Sequence, residues 1–175
     1  HNITERDAQV GLSQAWHGLT DVVDEIDVSD NVLTKWDVER KPLTYVDVDG
    51  NEQETGYGIL VGSDDDKIIG RPMTTSYKAI SNEKFLDLVS DAMNKLPKAK
   101  IESVGSVCNR GKVFVTVSLD GKSNYKVGDR EFKDYLNFGN AHDQTSKLWI
   151  NNTNTCTVCD NTFTYNLNDK SNMVG

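Results

Sequence analysis

Cys156 and Cys159 form a C-x-x-C pair, the spacing that supplies half of a zinc site or a redox couple. A closed zinc site needs two further ligands, and the candidates, Cys108 and His142, are single and distant in sequence. Alternation along a strand would also place residues 156 and 159 on opposite faces. The expectation is therefore no metal and no cofactor. Three cysteines are an odd count, which fits free thiols better than a disulfide framework.

The loop Gly139–Thr145, GNAHDQT, gathers Asn140, His142 and Asp143 between two apolar stretches. His142 beside Asp143 could form an orienting pair, but adjacent residues in a strand point apart. Ser146 has no G-x-S-x-G around it, so no patterned nucleophile accompanies the pair. Asn and Asp side chains commonly close turns on their own backbone, and that is the expected role of this motif loop. Asp47–Gly50, DVDG, begins like a calcium loop but lacks the closing Glu, and reads as a hairpin turn. Asp64, Asp65 and Asp66 read as a solvated hairpin tip. Gly56-x-Gly58 lacks the third glycine of a dinucleotide fingerprint, and no phosphate-loop motif is present. His17, beside Trp16, has no evident partner for catalysis. The residues point to a protein without catalytic chemistry.

The net charge of −8 argues against a nucleic-acid partner until its distribution is considered. Residues 1–66 hold 16 acids and 4 bases, whereas residues 67–175 hold 11 acids and 15 bases. Lys95–Lys133 is locally basic, with 9 bases and 4 acids. Such asymmetry can mark an interaction surface. No apolar run approaches the ~20 residues that span a bilayer, and no leader pattern opens the chain. A soluble, intracellular protein with no membrane partner is expected.

The elements that must position these residues read as α+β. An irregular acidic N-terminal arm over 1–31 should precede a single domain over 32–175. Strands are expected at Lys35–Tyr45, Gly56–Val61 and Lys67–Gly70. Ser81 should cap one main helix over about 82–96, whose stripe of Phe85, Leu88, Val89, Ala92, Met93 and Leu96 is core. Ile101–Cys108 and Lys112–Leu119 follow as a hairpin with Arg110 at its tip, then a polar connection over Lys122–Lys133. A short strand, Asp134–Phe138, and a last one around Lys147–Ile150 complete an antiparallel, curved sheet of hairpins backed by the helix.

In this order the sequence resembles a known family. AWHGL at Ala15–Leu19, the KPL at Lys41–Leu43 and YKAISNEKF at Tyr77–Phe85 match its pattern, as do IESVGSV and RGKVFVTVSL. NAHDQTSKLW and CTVCDNTF complete it. The chain is similar, over nearly all its length, to phage- and plasmid-like proteins that share a domain of unknown function. The resemblance implies a helical C-terminal region beyond Gly175. The strand-hairpin-helix order is similar, by analogy of fold, to that of phage single-strand annealing recombinases, whose domain is a curved antiparallel sheet backed by a helix.

The expected function is a non-enzymatic single-stranded-DNA-binding and strand-annealing protein of a phage or plasmid. It would act as a homo-oligomer in the bacterial host cytoplasm. Lys98, Lys100, Arg110, Lys112, Lys122, Lys126 and Arg130 would hold backbone phosphates, with Phe114, Tyr125, Phe132 and Tyr135 interleaved among them. The alternative is a phage or plasmid protein-interaction module that contacts a host or phage protein through the acidic stretch Asp21–Asn31.

Overall fold

The computed structural model describes residues 8–11, 21–23, 25–96, 98–119, 125–127 and 130–156. Two short strands, β1 (Ala8–Gly11) and β2 (Asp21–Val23), precede a single 3-10 turn over Val32–Lys35. Three longer strands follow, β3 (Val38–Val46), β4 (Glu52–Gly62) and β5 (Ile68–Thr74). The helix α1 (Asn82–Met93) leads into β6 (Ala99–Val107) and β7 (Lys112–Leu119). β8 (Tyr125–Val127), β9 (Arg130–Ala141) and β10 (Trp149–Cys156) complete the order.

These strands form two sheets. The larger runs β10-β9-β7-β6-β1-β2, with β8 paired to β9, and the smaller is β3-β4-β5. All pairings are antiparallel except β1 with β2, which is parallel. The expected α+β architecture, hairpins backed by one helix, is present. The N-terminal arm is less irregular than its sequence implies, because β1 and β2 extend the large sheet beyond β6.

The helix starts where its apolar spacing predicts but ends at Met93, short of the expected residue 96, and Leu88, Ala92, Met93 and Leu96, expected in the core, are only half-buried. Ser81 Oγ accepts the backbone N–H of Lys84 at 3.2 Å, the N-cap bond expected of serine there. Phe85, Leu86 and Val89 are buried and pack with Val104, Val113, Val115, Val117 and Phe138 from one face of the large sheet. Leu60, Ile69 and Met73 from the small sheet join the same core. Burying side chains of this size contributes about 1.5–3 kcal/mol each relative to exposure.

Three differences from the sequence reading have local causes. Lys35 belongs to the 3-10 turn and not to a strand. Asn31 Oδ1 accepts the Leu33 N–H at 2.9 Å while the Asn31 N–H reaches Thr34 Oγ1 at 3.3 Å, a reciprocal cap that starts a turn. The Lys122–Lys133 connection contains β8 and the start of β9, whose weak apolar pattern hides strand pairing. The short strand at Asp134–Phe138 is the middle of the twelve-residue β9. Its buried polar positions, Asn137 and Asn140, break the apolar alternation that marks a strand.

The small sheet is only partly covered. β4 is exposed along its first six residues and buried towards Leu60 and Val61. The β3–β4 hairpin beyond Pro42 and Gly58 is thus a ribbon with solvent on both faces. Its register shifts between Pro42 and Thr44, and Gly56 adopts φ +75°, which only glycine accommodates freely.

Candidate functional site

The motif loop at the end of β9 is the most concentrated group of polar side chains, and each of its members is engaged. Asn140 Nδ2 donates to the Ile80 carbonyl at 3.1 Å, tying β9 to the segment that enters the helix. Asp143 Oδ1 accepts both the N–H and the hydroxyl of Thr145, at 2.9 and 2.6 Å, an aspartate turn closed on itself. The backbone N–H groups of His142 and Asp143 both donate to the Gly111 carbonyl, at 2.8 and 3.0 Å. Of the loop's side chains Asp143 closes a turn on its own neighbours, whereas Asn140 holds backbone 60 residues away.

His142 is fully buried, and its Nε2 lies 2.9 Å from Asn82 Oδ1. Asn82 Nδ2 donates to the Trp36 carbonyl at 3.0 Å and points to the Leu33 carbonyl at 3.4 Å. With the amide N–H groups so used, Asn82 Oδ1 is the acceptor and His142 Nε2 carries the hydrogen. Nδ1 is then the bare nitrogen, buried without a hydrogen-bond partner. Burial pushes the imidazole pKa down to about 4, against the pull of Asp37 and Asp143. His142 is neutral at pH 7, and it serves as a wedge between strand end and helix start.

The Trp36 ring meets His142 edge-on, with centroids 5.9 Å apart and planes at 73°. Over the Trp36 ring lies the guanidinium of Arg110, 4.6 Å from the ring centroid. Arg110 also grips Asp64 in two-pronged fashion, Nη1 to Oδ1 at 2.7 Å and Nη2 to Oδ2 at 3.2 Å, with Asp65 at 3.7 Å. Asp65 is held below the usual carboxylate range first by its side-chain bond to Lys67, then by Lys67 N–H and by the charge of Arg110. The three aspartates are therefore ion-paired: Asp66 takes Lys41, Asp65 takes Lys67 and Asp64 takes Arg110.

Close backbone approaches complete this junction. A Cβ on Gly70 would lie 2.7 Å from the Asp143 Cα, and one on Gly62 would lie 2.7 Å from Asp65 Oδ1. Gln144 Nε2 donates to the Arg71 carbonyl at 2.8 Å, so the motif loop also grips β5. Asp37 accepts the Asn82 N–H at 2.9 Å, placing a carboxylate at the positive end of α1. Trp36, Asn82 and Asp37 were not singled out by sequence, and Asp64, expected as part of a solvated tip, is paired with Arg110. Their partners lie 45 or more residues away, so no local pattern announces them.

The proposed phosphate ligands do not all meet. Lys100 pairs with Ser118 on β7, and Lys112 sits between Val107 and Ala141 at the other end of the same strand pair. Strand alternation puts both on the face turned away from α1, with Phe114, Thr116 and Ser118. Lys133 occupies the same face of β9. Lys98 is exposed at the entry to β6 with φ 64°, whereas Arg110 is committed to Asp64. Lys126 and Arg130 contribute backbone to β8 and β9, Lys126 opposite Glu131. Lys122, Cys159 and the Trp16–His17 pair lie outside the described residues.

That far face also carries a polar ladder. Thr116 Oγ1 donates to Asn137 Oδ1 at 2.9 Å, and Asn137 Nδ2 donates to Thr153 Oγ1 at 2.9 Å, crossing β7, β9 and β10. Trp149 lies flat over Gly139, its cross-strand partner. Phe114, Tyr135 and Trp149 are buried, so these aromatics pack and do not present open faces to a base. Tyr125 and Phe132 lie in β8 and β9. Among the described residues no cluster of three His, Cys, Asp or Glu side chains could hold a metal ion. No helix among them is long and apolar enough to cross a membrane.

Comparison with known proteins gives one match. The profile of a domain of unknown function, DUF932, covers residues 73–174, more than half of the chain. No curated protein and no solved structure matches.

Proposed function

From a chain that belongs to the DUF932 family, described only as a domain of unknown function, we propose a phage- or plasmid-encoded protein that binds and anneals single-stranded DNA. It acts without catalytic chemistry, as an oligomer, in the host cytoplasm. The observation that carries the reading is the face of the large sheet turned away from α1. There the register aligns Lys100, Lys112 and Lys133 with the ladder of Thr116, Asn137 and Thr153. The lysine ammonium groups are the chemistry that backbone phosphates take, without regard to sequence, while the Thr116 hydroxyl and the buried Asn137 amide are spent across the strands and hold the lysines' strands in register. The net charge of −8 does not oppose this. Exposed charges more than about 8 Å away are largely screened at physiological salt.

The resemblance to annealing recombinases supports the reading through architecture, an antiparallel sheet with one helix behind it. Buried Phe114, Tyr135 and Trp149 narrow the mode of binding. Affinity comes from phosphate contacts more than from base stacking, so it falls steeply with salt. Fluorescence anisotropy with a labelled single-stranded oligonucleotide at about 50 mM salt tests it. A saturable complex supports the proposal, and no complex removes it.

A second reading, a protein-interaction module, is favoured by the exposed ribbon of β3 and β4. The stretch Asp21–Asn31 named for that role from sequence is partly committed elsewhere: β2 pairs with β1, and Asp27 accepts Ser29 N–H and O–H. The contact moves to the ribbon. A chain that binds no single-stranded DNA but forms a stoichiometric complex with a purified phage or host protein selects this reading.

A further inference from the structure

The β3–β4 ribbon gathers apolar surface of a kind that the core elsewhere hides. Among the described residues the large apolar side chains left exposed are Tyr45, Val46, Val48, Tyr57 and Ile68, and all belong to the small sheet or its hairpin turn. Tyr45 is 55% exposed, Val46 is 70% exposed and Val48 is fully exposed. Apolar side chains concentrated in this way, and not scattered singly, mark a contact surface.

The charge of the ribbon is as one-sided as its exposure. Residues 43–57 hold Asp47, Asp49, Glu52 and Glu54 and no Lys, Arg or Pro. Asp47 is spent on the turn, accepting the N–H groups of Asp49 and Asn51. Asp49, Glu52 and Glu54 have no ion-pair partner among the described residues, whereas Asp64, Asp65 and Asp66 each have a cation of this chain. The register opposes Val46 to Glu52 and Thr44 to Glu54, so both glutamates share one face, and Tyr45 lies on the other with Gln53. β5 pairs with β4 only from Tyr57 to Val61, so no described strand covers the edge of β4 from Glu52 to Gly56 on that side. An open edge is normally blunted by lysine, proline or a covering element. This one carries acid alone. It repels nucleic acid and other acidic edges, and leaves a basic strand free to pair.

We propose that the edge of β4 at Glu52–Gly56 docks an extended basic segment of another protein, one with Lys or Arg at every second residue and apolar residues between. The segment adds to the ribbon as a third strand, along the side where β5 stops. Its cations fall beside Glu52 and Glu54, and its apolar residues fall on the face that Tyr45 occupies. The proposal rests on the second reading above, in which the ribbon is the protein contact, and gives the chemistry of the partner. It is independent of single-strand binding by the large sheet.

Fluorescence anisotropy of a labelled peptide of alternating Lys and Val tests it on the full chain. Wild type is expected to bind the peptide saturably, and hydrogen exchange of the Glu52–Gly56 amides is expected to slow in the complex. A peptide of the same composition with its lysines in one block should bind at least about tenfold more weakly, because it cannot place a cation at every second residue. Glu52→Lys/Glu54→Lys alters only exposed side chains. It should lose at least about tenfold in affinity for the Lys-Val peptide and gain affinity for one of alternating Glu and Val. If that pair lowers the melting temperature, Glu54→Lys alone replaces it, with a loss of about threefold or more. No binding by wild type, equal affinity for the blocked peptide, protection away from β4, or unchanged affinity in the variant overturns the proposal. Peptide failure beside a ribbon-dependent complex with a purified phage or host protein overturns the basic strand and keeps the reading beneath it. A complex that the charge-reversed variant forms equally well overturns both.

Discussion

Arg110 and Asp64 are 46 residues apart in sequence, and their two-pronged ion pair fastens the β6–β7 hairpin of the large sheet to the β4–β5 hairpin of the small one. The same guanidinium lies on Trp36, which abuts His142, which bonds Asn82 at the start of α1. One contiguous set of contacts thus joins both sheets and the helix. The bonds of its members are directed at one another.

Replacing Arg110 by Ala removes the ion pair and the stack together. The pair is partly exposed, with side chains 23% and 38% accessible, so solvent screening reduces its worth. A loss of about 1–2 kcal/mol of folding stability is expected in urea titration. The double-mutant cycle with Asp64→Ala should return a coupling of roughly 0.5–1 kcal/mol. Additivity of the two changes would show that the sheets are joined by other contacts.

Stability should also depend on pH through His142. Its folded pKa, about 4, lies below the ordinary 6.5, so the unfolded chain binds the proton more readily. Stability from this group is full above pH 6.5, falls as pH drops towards 4, and changes no further below that. The whole effect is at most about 3 kcal/mol. In His142→Gln the slope of stability between pH 6.5 and 4 should flatten relative to wild type, by thermal melting in matched buffers. An unchanged slope would assign the acid sensitivity to other groups.

Gly139 has no room for a side chain, because the Trp149 ring covers its Cα. Gly139→Ala should cost about 1–3 kcal/mol by forcing the ring off its strand. Combining it with Trp149→Ala should recover part of that cost. Equal loss in both backgrounds would place the strain in the backbone.

At the β6–β7 turn, Cys108, Asn109 and Arg110 all have positive φ, at 57°, 52° and 63°. Non-glycine residues pay about 1 kcal/mol for this conformation, Asn less than others. Cys108 is exposed, so Cys108→Gly removes strain and little packing. It should raise stability by roughly 0.5 kcal/mol, after the larger unfolded-state entropy of glycine is subtracted. A decrease would mean that the thiol makes a contact worth more than the strain.

The helix and β7 were legible in sequence because their apolar residues recur at the period of the element they form. Phe85 and Val89 announce one face of α1, and Val113, Val115 and Val117 announce one face of β7. Ser81 and the Asp47 turn were legible because caps and turns are chemically local. β9 was seen only in part, because buried Asn137 satisfies its amide across strands and Asn140 on the Ile80 carbonyl, and both look like loop residues. In the motif loop, Asp143 closing on Thr145 could be read from spacing, whereas His142 meeting Asn82 could not. Arg110 read as a free cation at a hairpin tip because Asp64 lies in another sheet.

The central claim rests on Lys100 and Lys112, which share the face opposite α1 without touching the Arg110 junction. Their charge reversal, Lys100→Glu/Lys112→Glu, should leave the melting temperature close to that of wild type. Salt-titrated anisotropy of a labelled single strand is the most direct measurement. Wild type should bind, with log K falling with log salt at a slope of about −2 for three phosphates released. The variant should lose at least about tenfold in affinity and roughly two thirds of that slope. No binding by wild type at low salt, or equal affinity and slope in the variant, would contradict the account.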